Sequence, residues 1–161
     1  MLTIFLVLVF LAGIALMLYP TVSDWWNSVH QSRAVSAYRQ DDTRQIMRME
    51  AEEYNASLAR DDTRFYPDEE EHVRYTNLLD VTGTGIMGYL EIPSIDVEMP
   101  IYHGTDEGVL RIGAGHVEGS SLPVGGAGTH SVISGHRGLP SARLLTDLDQ
   151  LTEGDLFMIH I

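Results

Sequence analysis

The sequence predicts a mainly β domain that is preceded by a membrane-spanning helix and a juxtamembrane helical segment. An uncharged apolar stretch opens the chain, an apolar stripe with helical spacing follows it, and short apolar runs between glycine- and proline-rich turns fill the remainder. We expect the membrane helix at residues 1–20, the juxtamembrane segment at 21–60, an acidic loop at 61–82 and the β domain at 83–161.

The first stretch, Met1 to Tyr19, carries no charged residue and is almost wholly apolar. About 20 apolar residues cross a bilayer as a helix. We expect Pro20 to end this helix, and Trp25 and Trp26 are suited to the membrane interface. The alternative is a cleaved signal peptide, which needs a positive start and a small-residue cleavage site, and neither is evident here. The pattern favours an uncleaved single-pass anchor.

The next segment, from Ser23 to about Ala59, has the pattern of a helix in two pieces. Ser23 is the expected N-cap, and Asp41-Asp42-Thr43 is the expected interruption. Four apolar side chains of the second piece recur at the spacing of one helix face, namely Met47, Ala51, Tyr54 and Leu58. This stripe predicts a helix that packs on the domain while it connects the domain to the membrane.

The chain is strongly acidic, with a formal net charge of −13. This balance argues against nucleic acid as a partner, because such a partner calls for a basic face. Acidic residues concentrate between Asp61 and Asp80, and four of them are consecutive at Asp68–Glu71. A charge run of this kind usually forms a solvated loop. The alternative is that this segment serves a membrane-anchored binding module.

Short apolar runs predict the strands of the domain. Met87 to Ile92 is one such run, and Pro93-Ser94 is expected to break it because proline cannot donate to a strand ladder. An alternating pattern then predicts a half-buried strand at Ile95, Val97, Met99 and Ile101. We also expect a helical turn at Glu107–Ile112, a strand at Gly128–His136, a short amphipathic helix at Arg143–Leu151 and a strand at Leu156–Ile161.

The turn Ser134-Gly135-His136-Arg137-Gly138 is the strongest candidate for a functional group. Glycine on each side of His136-Arg137 permits unusual backbone angles and lets another group come close. Histidine changes its charge near neutral pH, so a histidine that is fixed in a turn suits acid–base chemistry. On the local pattern alone, His136 is either such a group or a residue that merely closes the turn.

Other site chemistries find less support in the sequence. Close His-Glu-x-x-His pairs are absent, so we expect no metal and no cofactor. Ser131 and Ser134 neighbour His136, but no Gly-x-Ser-x-Gly elbow is present, which argues against a serine nucleophile. His130 would share a face with His136 in a regular strand, and we interpret it as a structural, hydrogen-bonded histidine.

Three groups of residues closely resemble the catalytic-histidine region of sortases, the membrane-anchored cysteine transpeptidases of Gram-positive bacteria. They are Leu122-Pro123-Val124-Gly125-Gly126, Thr129-His130-Ser131 and Ser134-Gly135-His136-Arg137-Gly138-Leu139-Pro140-Ser141. The likeness extends through Gly83–Pro93, Pro100–Gly104 and Leu144–Ile161. In detail the sequence is most similar to class C, the pilus-assembling branch.

The resemblance implies the N-terminal half of a sortase-type β-barrel. It implies an enzyme that cleaves a Leu-Pro-x-Thr-Gly-like sorting signal and joins pilin or surface proteins by an amide (isopeptide) bond. His136 would be the catalytic histidine, which protonates the departing amine, while Arg137 belongs to the motif but is not the oxyanion arginine. The partners would be pilin or surface proteins and the membrane, with the domain outside the cell.

The resemblance also implies a lid over the active site in the acidic segment. Class C sortases build this lid on an Asp-Pro-aromatic motif, whereas this sequence has Phe65-Tyr66-Pro67-Asp68. Tyr66 and Asp68 are therefore the candidate lid residues, with the aromatic group and the acid in the opposite order.

The sequence contains no cysteine. A sortase acts through a cysteine in a Thr-Leu-x-Thr-Cys strand and through an arginine beyond it. We therefore expect a truncated sortase that is inactive as given. The alternatives are a membrane-anchored, non-catalytic binding or regulatory module and a fragment of a housekeeping-type sortase.

Overall fold

A computed structural model describes residues 1–38, 44–80, 82–140 and 142–161. The helices are α1 (Leu2–Tyr38), α2 (Arg44–Leu58), α3 (Glu69–Asn77) and α4 (Glu107–Leu110). The strands are β1 (Ile86–Ile92), β2 (Val97–His103), β3 (Ala114–His116), β4 (Ile133–Ser134), β5 (Arg137–Leu139), β6 (Ala142–Leu144) and β7 (Met158–His160). Two 3-10 turns occupy Pro93–Ile95 and Leu148–Gln150.

Five strands form one sheet in the order β4-β3-β2-β1-β7, and β5 and β6 form a separate two-stranded pair. β1 runs antiparallel to β2 and β7, β3 runs parallel to β2, and β4 runs antiparallel to β3. Gly88 permits the close approach of β1 to β7, because a Cβ there would lie 2.5 Å from the carbonyl oxygen of His160. The prediction of a mainly β domain that follows an apolar helix is confirmed.

The core lies between this sheet and α2. Met87, Ile101 and Leu122 are fully buried in it. The predicted apolar stripe of α2 is confirmed: the core includes Ala51, Tyr54 and Leu58, and Met47 packs against its edge. Helical periodicity identified the face correctly because a surface helix gains most of its stability by burying one apolar side.

Asn55 fastens α2 to the loop that leads toward β4. Its Nδ2 donates to the carbonyl oxygen of Leu122 at 3.0 Å, and its Oδ1 accepts the Leu122 N–H at 2.7 Å. The side chain is buried. This amide therefore satisfies both backbone groups of a fully buried residue.

Replacing Asn55 by alanine is expected to lower the free energy of unfolding by about 2 kcal/mol, because it leaves the buried Leu122 N–H without a partner and leaves the Leu122 carbonyl with only the Val124 N–H, at 2.8 Å. Urea denaturation of the full chain in detergent micelles, followed by the near-ultraviolet circular dichroism of the tyrosines, measures the change. The matched control is Asn77→Ala, since Asn77 is exposed on α3. Equal losses in the two variants would contradict the assignment.

The first helix differs from its expected length. It continues through Pro20 to Tyr38, so the expected stop at Pro20 and the expected N-cap at Ser23 are wrong. Proline removes one backbone hydrogen bond, a loss that membrane-spanning helices tolerate. Residues 2–31 are long and apolar enough to cross a membrane, by length and composition. The expected interruption at Asp41-Asp42-Thr43 lies outside the described residues.

The second half of α1 lies against β1, β2 and β6. Asp24 Oδ1 accepts the backbone N–H of Arg143 at 2.7 Å, and Gln31 Nε2 donates to the carbonyl oxygen of Ile112 at 2.8 Å. The part of α1 that follows Pro20 therefore contacts the domain directly.

The acidic segment is not the single loop that the charge run predicted, because it contains α3. Asp68 and Glu71 form a capping box, in which Asp68 Oδ1 accepts the Glu71 N–H at 2.9 Å and Glu71 Oε2 accepts the Asp68 N–H at 3.3 Å. The three glutamates of the first turn also interact favourably with the positive end of the helix dipole. Local capping thus outweighs charge repulsion in this segment.

The amphipathic helix expected at Arg143–Leu151 is also wrong. The segment begins in strand β6, whose Leu144 pairs with Arg137 of β5, and it ends with the 3-10 turn Leu148–Gln150. Leu144 has a φ of 40°, which a right-handed helix excludes. Leu144 and Leu145 are apolar because their side chains are buried in the core, and no helix is needed to explain them.

Candidate active site

His136 lies in the short link between β4 and β5. The strand expected at Gly128–His136 is correct only for Ile133–Ser134, where Ser134 pairs with Gly115 and Ile133 pairs with His116. The residues before Ile133 form isolated hydrogen bonds with the preceding loop instead of a continuous strand ladder. One of these is the bond from the Val117 N–H to the Val132 carbonyl, at 2.9 Å. His136 therefore follows a two-residue strand at the edge of the sheet.

Leu145 holds the backbone at His136. Its N–H donates to the carbonyl oxygen of His136 at 3.2 Å. A Cβ at Gly135 would lie 2.8 Å from Leu145 Cδ1. Because Gly135 has no side chain, Leu145 can pack closely against the backbone before His136. The sequence predicted such a close approach at this turn without identifying the group.

The imidazole of His136 has an acidic neighbour that the sequence did not indicate. A third of the side chain is exposed, at 33%, but Nε2 is shielded from solvent and makes no hydrogen bond within the described residues. Glu107 Oε2 lies 3.5 Å from this nitrogen. The hydrogen bond from Arg111 holds the pKa of the Glu107 carboxyl below its ordinary value, and His136 acts in the same direction. Glu107 is therefore a carboxylate at neutral pH.

Arg137 points away from this pair. Its guanidinium binds Asp149 at 3.0 Å, and its Nε donates to the Thr146 carbonyl at 3.4 Å. These contacts tie β5 to the segment after β6. In the part of the chain that the structure describes, no serine hydroxyl bonds to Nε2 of His136, so no serine–histidine pair forms through that nitrogen.

His130 and His136 do not lie on one regular strand, because only Ile133–Ser134 between them is a strand. The expectation that both histidines share a face required a regular strand, which does not form here. The His130 side chain is exposed, and its main chain pairs with Ser121, whose N–H donates to the His130 carbonyl at 2.9 Å. The structure therefore brings Glu107, and not His130, to His136.

The candidate lid residues have different surroundings. Tyr66 is 86% exposed, and Asp68 serves as the N-cap of α3. The segment before them rests on Gly119, where a Cβ would lie 2.4 Å from the Arg64 carbonyl oxygen and 2.7 Å from Phe65 Cδ1. Phe65 rather than Tyr66 thus contacts the domain in the described structure.

A buried polar network behind β4 was not indicated by the sequence. His116 lies in β3 and is fully buried. Its Nδ1 lies 3.0 Å from the Tyr75 hydroxyl, and its Nε2 lies 2.9 Å from the Ser121 carbonyl oxygen. Burial lowers the pKa of His116 to about 4, so this imidazole is neutral and donates from Nε2. The Tyr75 hydroxyl also accepts the Gly104 N–H at 3.0 Å, which connects α3 to the sheet.

Comparisons with known proteins agree with this geometry. A family model described as the sortase domain matches residues 90–161. Sortase C1 from Streptococcus agalactiae is 42% identical with a TM-score of 0.72, and the match covers 80% of this chain and 70% of that one. Sortase C from Streptococcus pneumoniae is 40% identical with a TM-score of 0.62, and the match covers 82% and 66%. A search of curated proteins found no match.

A third solved structure is a lid mutant of sortase A from Corynebacterium diphtheriae. It is 37% identical with a TM-score of 0.61, and the match covers 73% of this chain and 63% of that one. The chain thus spans between 63% and 70% of the length of these three proteins. With this identity over most of its residues, the chain belongs to the sortase family and is similar in sequence and fold to class C sortases.

Proposed function

We propose that this chain is the histidine-bearing part of a class C-like sortase. Such an enzyme cleaves a Leu-Pro-x-Thr-Gly-like sorting signal and joins pilin or surface proteins by an amide bond. The observation that carries the proposal is His136, which lies in a Ser-Gly-His-Arg-Gly turn at the sheet edge of a chain 42% identical to sortase C1 from Streptococcus agalactiae.

The reaction needs a thiolate, an acid and a group that stabilises the oxyanion. A cysteine thiolate attacks the threonyl carbonyl, His136 as imidazolium protonates the departing amine, and a thioester remains. A lysine amine of the next pilin then attacks the thioester and releases the thiol. The sequence contains no cysteine, so the proposal assigns the thiolate and the oxyanion arginine to residues outside it, and this chain alone is inactive.

The first helix and the segment before α3 determine where the enzyme is located and how its site is reached. The apolar part of α1 supplies a single-pass anchor, with the domain on the extracellular side, where pilin and surface proteins are found. The start of the Arg64–Asp68 segment packs against Gly119, and Asp68 is held in place as the N-cap of α3. Tyr66 is left exposed, and we assign it and Asp68 to a lid over the site.

The first test is to sequence the gene downstream of codon 161 and to translate all three frames. A Thr-Leu-x-Thr-Cys segment followed by an arginine is the expected result. A genuine stop codon with no such segment in any frame would overturn the transpeptidase proposal. It would favour a binding or regulatory module that pairs with a full-length sortase.

The second test joins the full chain to the C-terminal part of sortase C1 from Streptococcus agalactiae that the match does not cover. We call this fusion the completed enzyme. We expect it to cleave a Leu-Pro-x-Thr-Gly peptide and to form an amide with an added amine, both detected by mass spectrometry. Replacement of the supplied cysteine by alanine is the control. A fusion with native-like circular dichroism that forms no thioester would contradict the proposal.

A further inference from the structure

Glu107 lies between Arg111 and His136. Its Oε1 accepts a hydrogen bond from Arg111 Nε at 2.9 Å, and its Oε2 lies 3.5 Å from His136 Nε2. Each carboxylate oxygen therefore has its own neighbour. This arrangement leaves Oε2 directed at the imidazole while Arg111 occupies the other oxygen.

The position of Glu107 is set by β3, the strand that also pairs with β4. Val109 of α4 packs on Gly115, where a Cβ would lie 3.2 Å from Val109 Cγ1 and 2.3 Å from the Gly104 carbonyl oxygen. The Gly113 N–H donates to the Val109 carbonyl at 3.1 Å. Both α4 and the strand before His136 thus contact β3 at Gly115, which brings the backbones that carry Glu107 and His136 close together.

The orientation of the imidazole follows from these contacts. Nε2 is shielded and faces the carboxylate, so the exposed third of the side chain consists of other atoms. A hydrogen bond made by one ring nitrogen decides which nitrogen carries the proton in the neutral form. Catalytic hydrogen bonds are often long in a structure without substrate and shorten in the reactive complex.

We propose that Glu107 is a positioning residue for His136, which holds the proton on Nε2 and thereby makes Nδ1 the nitrogen that protonates the departing amine. The inference rests on the proposed function for its catalytic consequence. When imidazolium transfers its Nδ1 proton to the amine, the Nε2–H tautomer remains, and the carboxylate stabilises that product. The aspartate of a serine protease fixes its histidine in the same manner, with the two ring nitrogens exchanged.

The ion pair itself is exposed and contributes little to stability, since Glu107 is 61% exposed. The role of the Glu107–His136 pair is therefore to set the tautomer and the orientation of the imidazole ring. In Glu107→Gln, Arg111 retains the amide oxygen and the NH2 group faces Nε2. Nε2 must then accept rather than donate, which favours the opposite tautomer.

The test measures the tautomer of His136 by long-range ¹H–¹⁵N NMR on the full chain in micelles. We expect the Nε2–H form in the wild type at high pH and a shift toward Nδ1–H in Glu107→Gln. The matched control is Glu52→Gln, because Glu52 forms an i,i+4 pair with Arg48 at 3.1 Å, similarly exposed and on α2. An unchanged tautomer in Glu107→Gln would overturn the inference.

In the completed enzyme, Glu107→Gln should lower kcat about tenfold with little change in KM, and Glu107→Asp should recover part of the loss. Glu52→Gln should retain full activity. If His136→Ala abolishes cleavage while Glu107→Gln stays within twofold of wild type, only the positioning role fails. If both variants cleave normally, the proposed function of His136 fails as well.

Discussion

Replacing His136 by alanine in the completed enzyme is expected to lower kcat/KM for a sorting-signal peptide by about 10²–10⁴-fold, the usual contribution of a positioned general acid. The loss should fall on kcat, because the imidazole acts on the departing amine and not on the bound peptide. Pre-steady-state mass spectrometry should show the thioester forming more slowly. Steady-state peptide cleavage gives the size of the effect.

His130→Ala is the matched control for this prediction. His130 lies in the same segment, its side chain is exposed, and its contacts with Ser121 are made by the main chain. Cleavage by this variant should stay within about twofold of the wild type, as for a surface substitution away from the site. Equal losses for His130→Ala and His136→Ala would show that the whole segment, and not one imidazole, had been disturbed.

Periodicity predicted those parts of the fold in which local sequence and tertiary burial agree. The stripe of α2 is such a part, because each of its apolar residues meets the core. The capping box of α3 was also readable as Asp68 followed three residues later by Glu71, but the run of four acids favoured a solvated loop instead. The Arg143–Leu151 prediction failed because the left-handed φ of Leu144 cannot be read from its side chain.

In the candidate site, too, the sequence identified one residue and missed another. His136 could be identified because its motif is contiguous, with glycine on both sides. Glu107 could not, because its proximity depends on the parallel pairing of β2 with β3 and on the packing of Val109 over Gly115. The contact of Tyr75 with His116 joins residues 41 positions apart, and neither residue stands in a pattern that indicates a buried network.

That network predicts that the fold loses stability in mild acid. Burial lowers the pKa of His116 from 6.5 to about 4 in the folded chain, and proximity to His103 acts in the same direction. Above pH 6.5, His116 is neutral in both the folded and the unfolded state, and stability is complete. Between pH 6.5 and about 4, only the unfolded state binds the proton, so the free energy of unfolding falls by about 1.4 kcal/mol per pH unit, or roughly 3 kcal/mol in all.

Urea denaturation of the full chain at pH 7 and pH 5 measures this loss against a variant that cannot titrate, His116→Gln. The variant should be less stable at pH 7, since it disturbs the contacts with Tyr75 and Ser121, but it should lose less stability than the wild type on acidification. His130→Gln is the control, because it removes an exposed histidine and should keep the pH dependence of the wild type. If His116→Gln also retained that full dependence, another group would be responsible. Burial of the neutral His116 imidazole between Tyr75 and Ser121 would then have no part in the acid sensitivity.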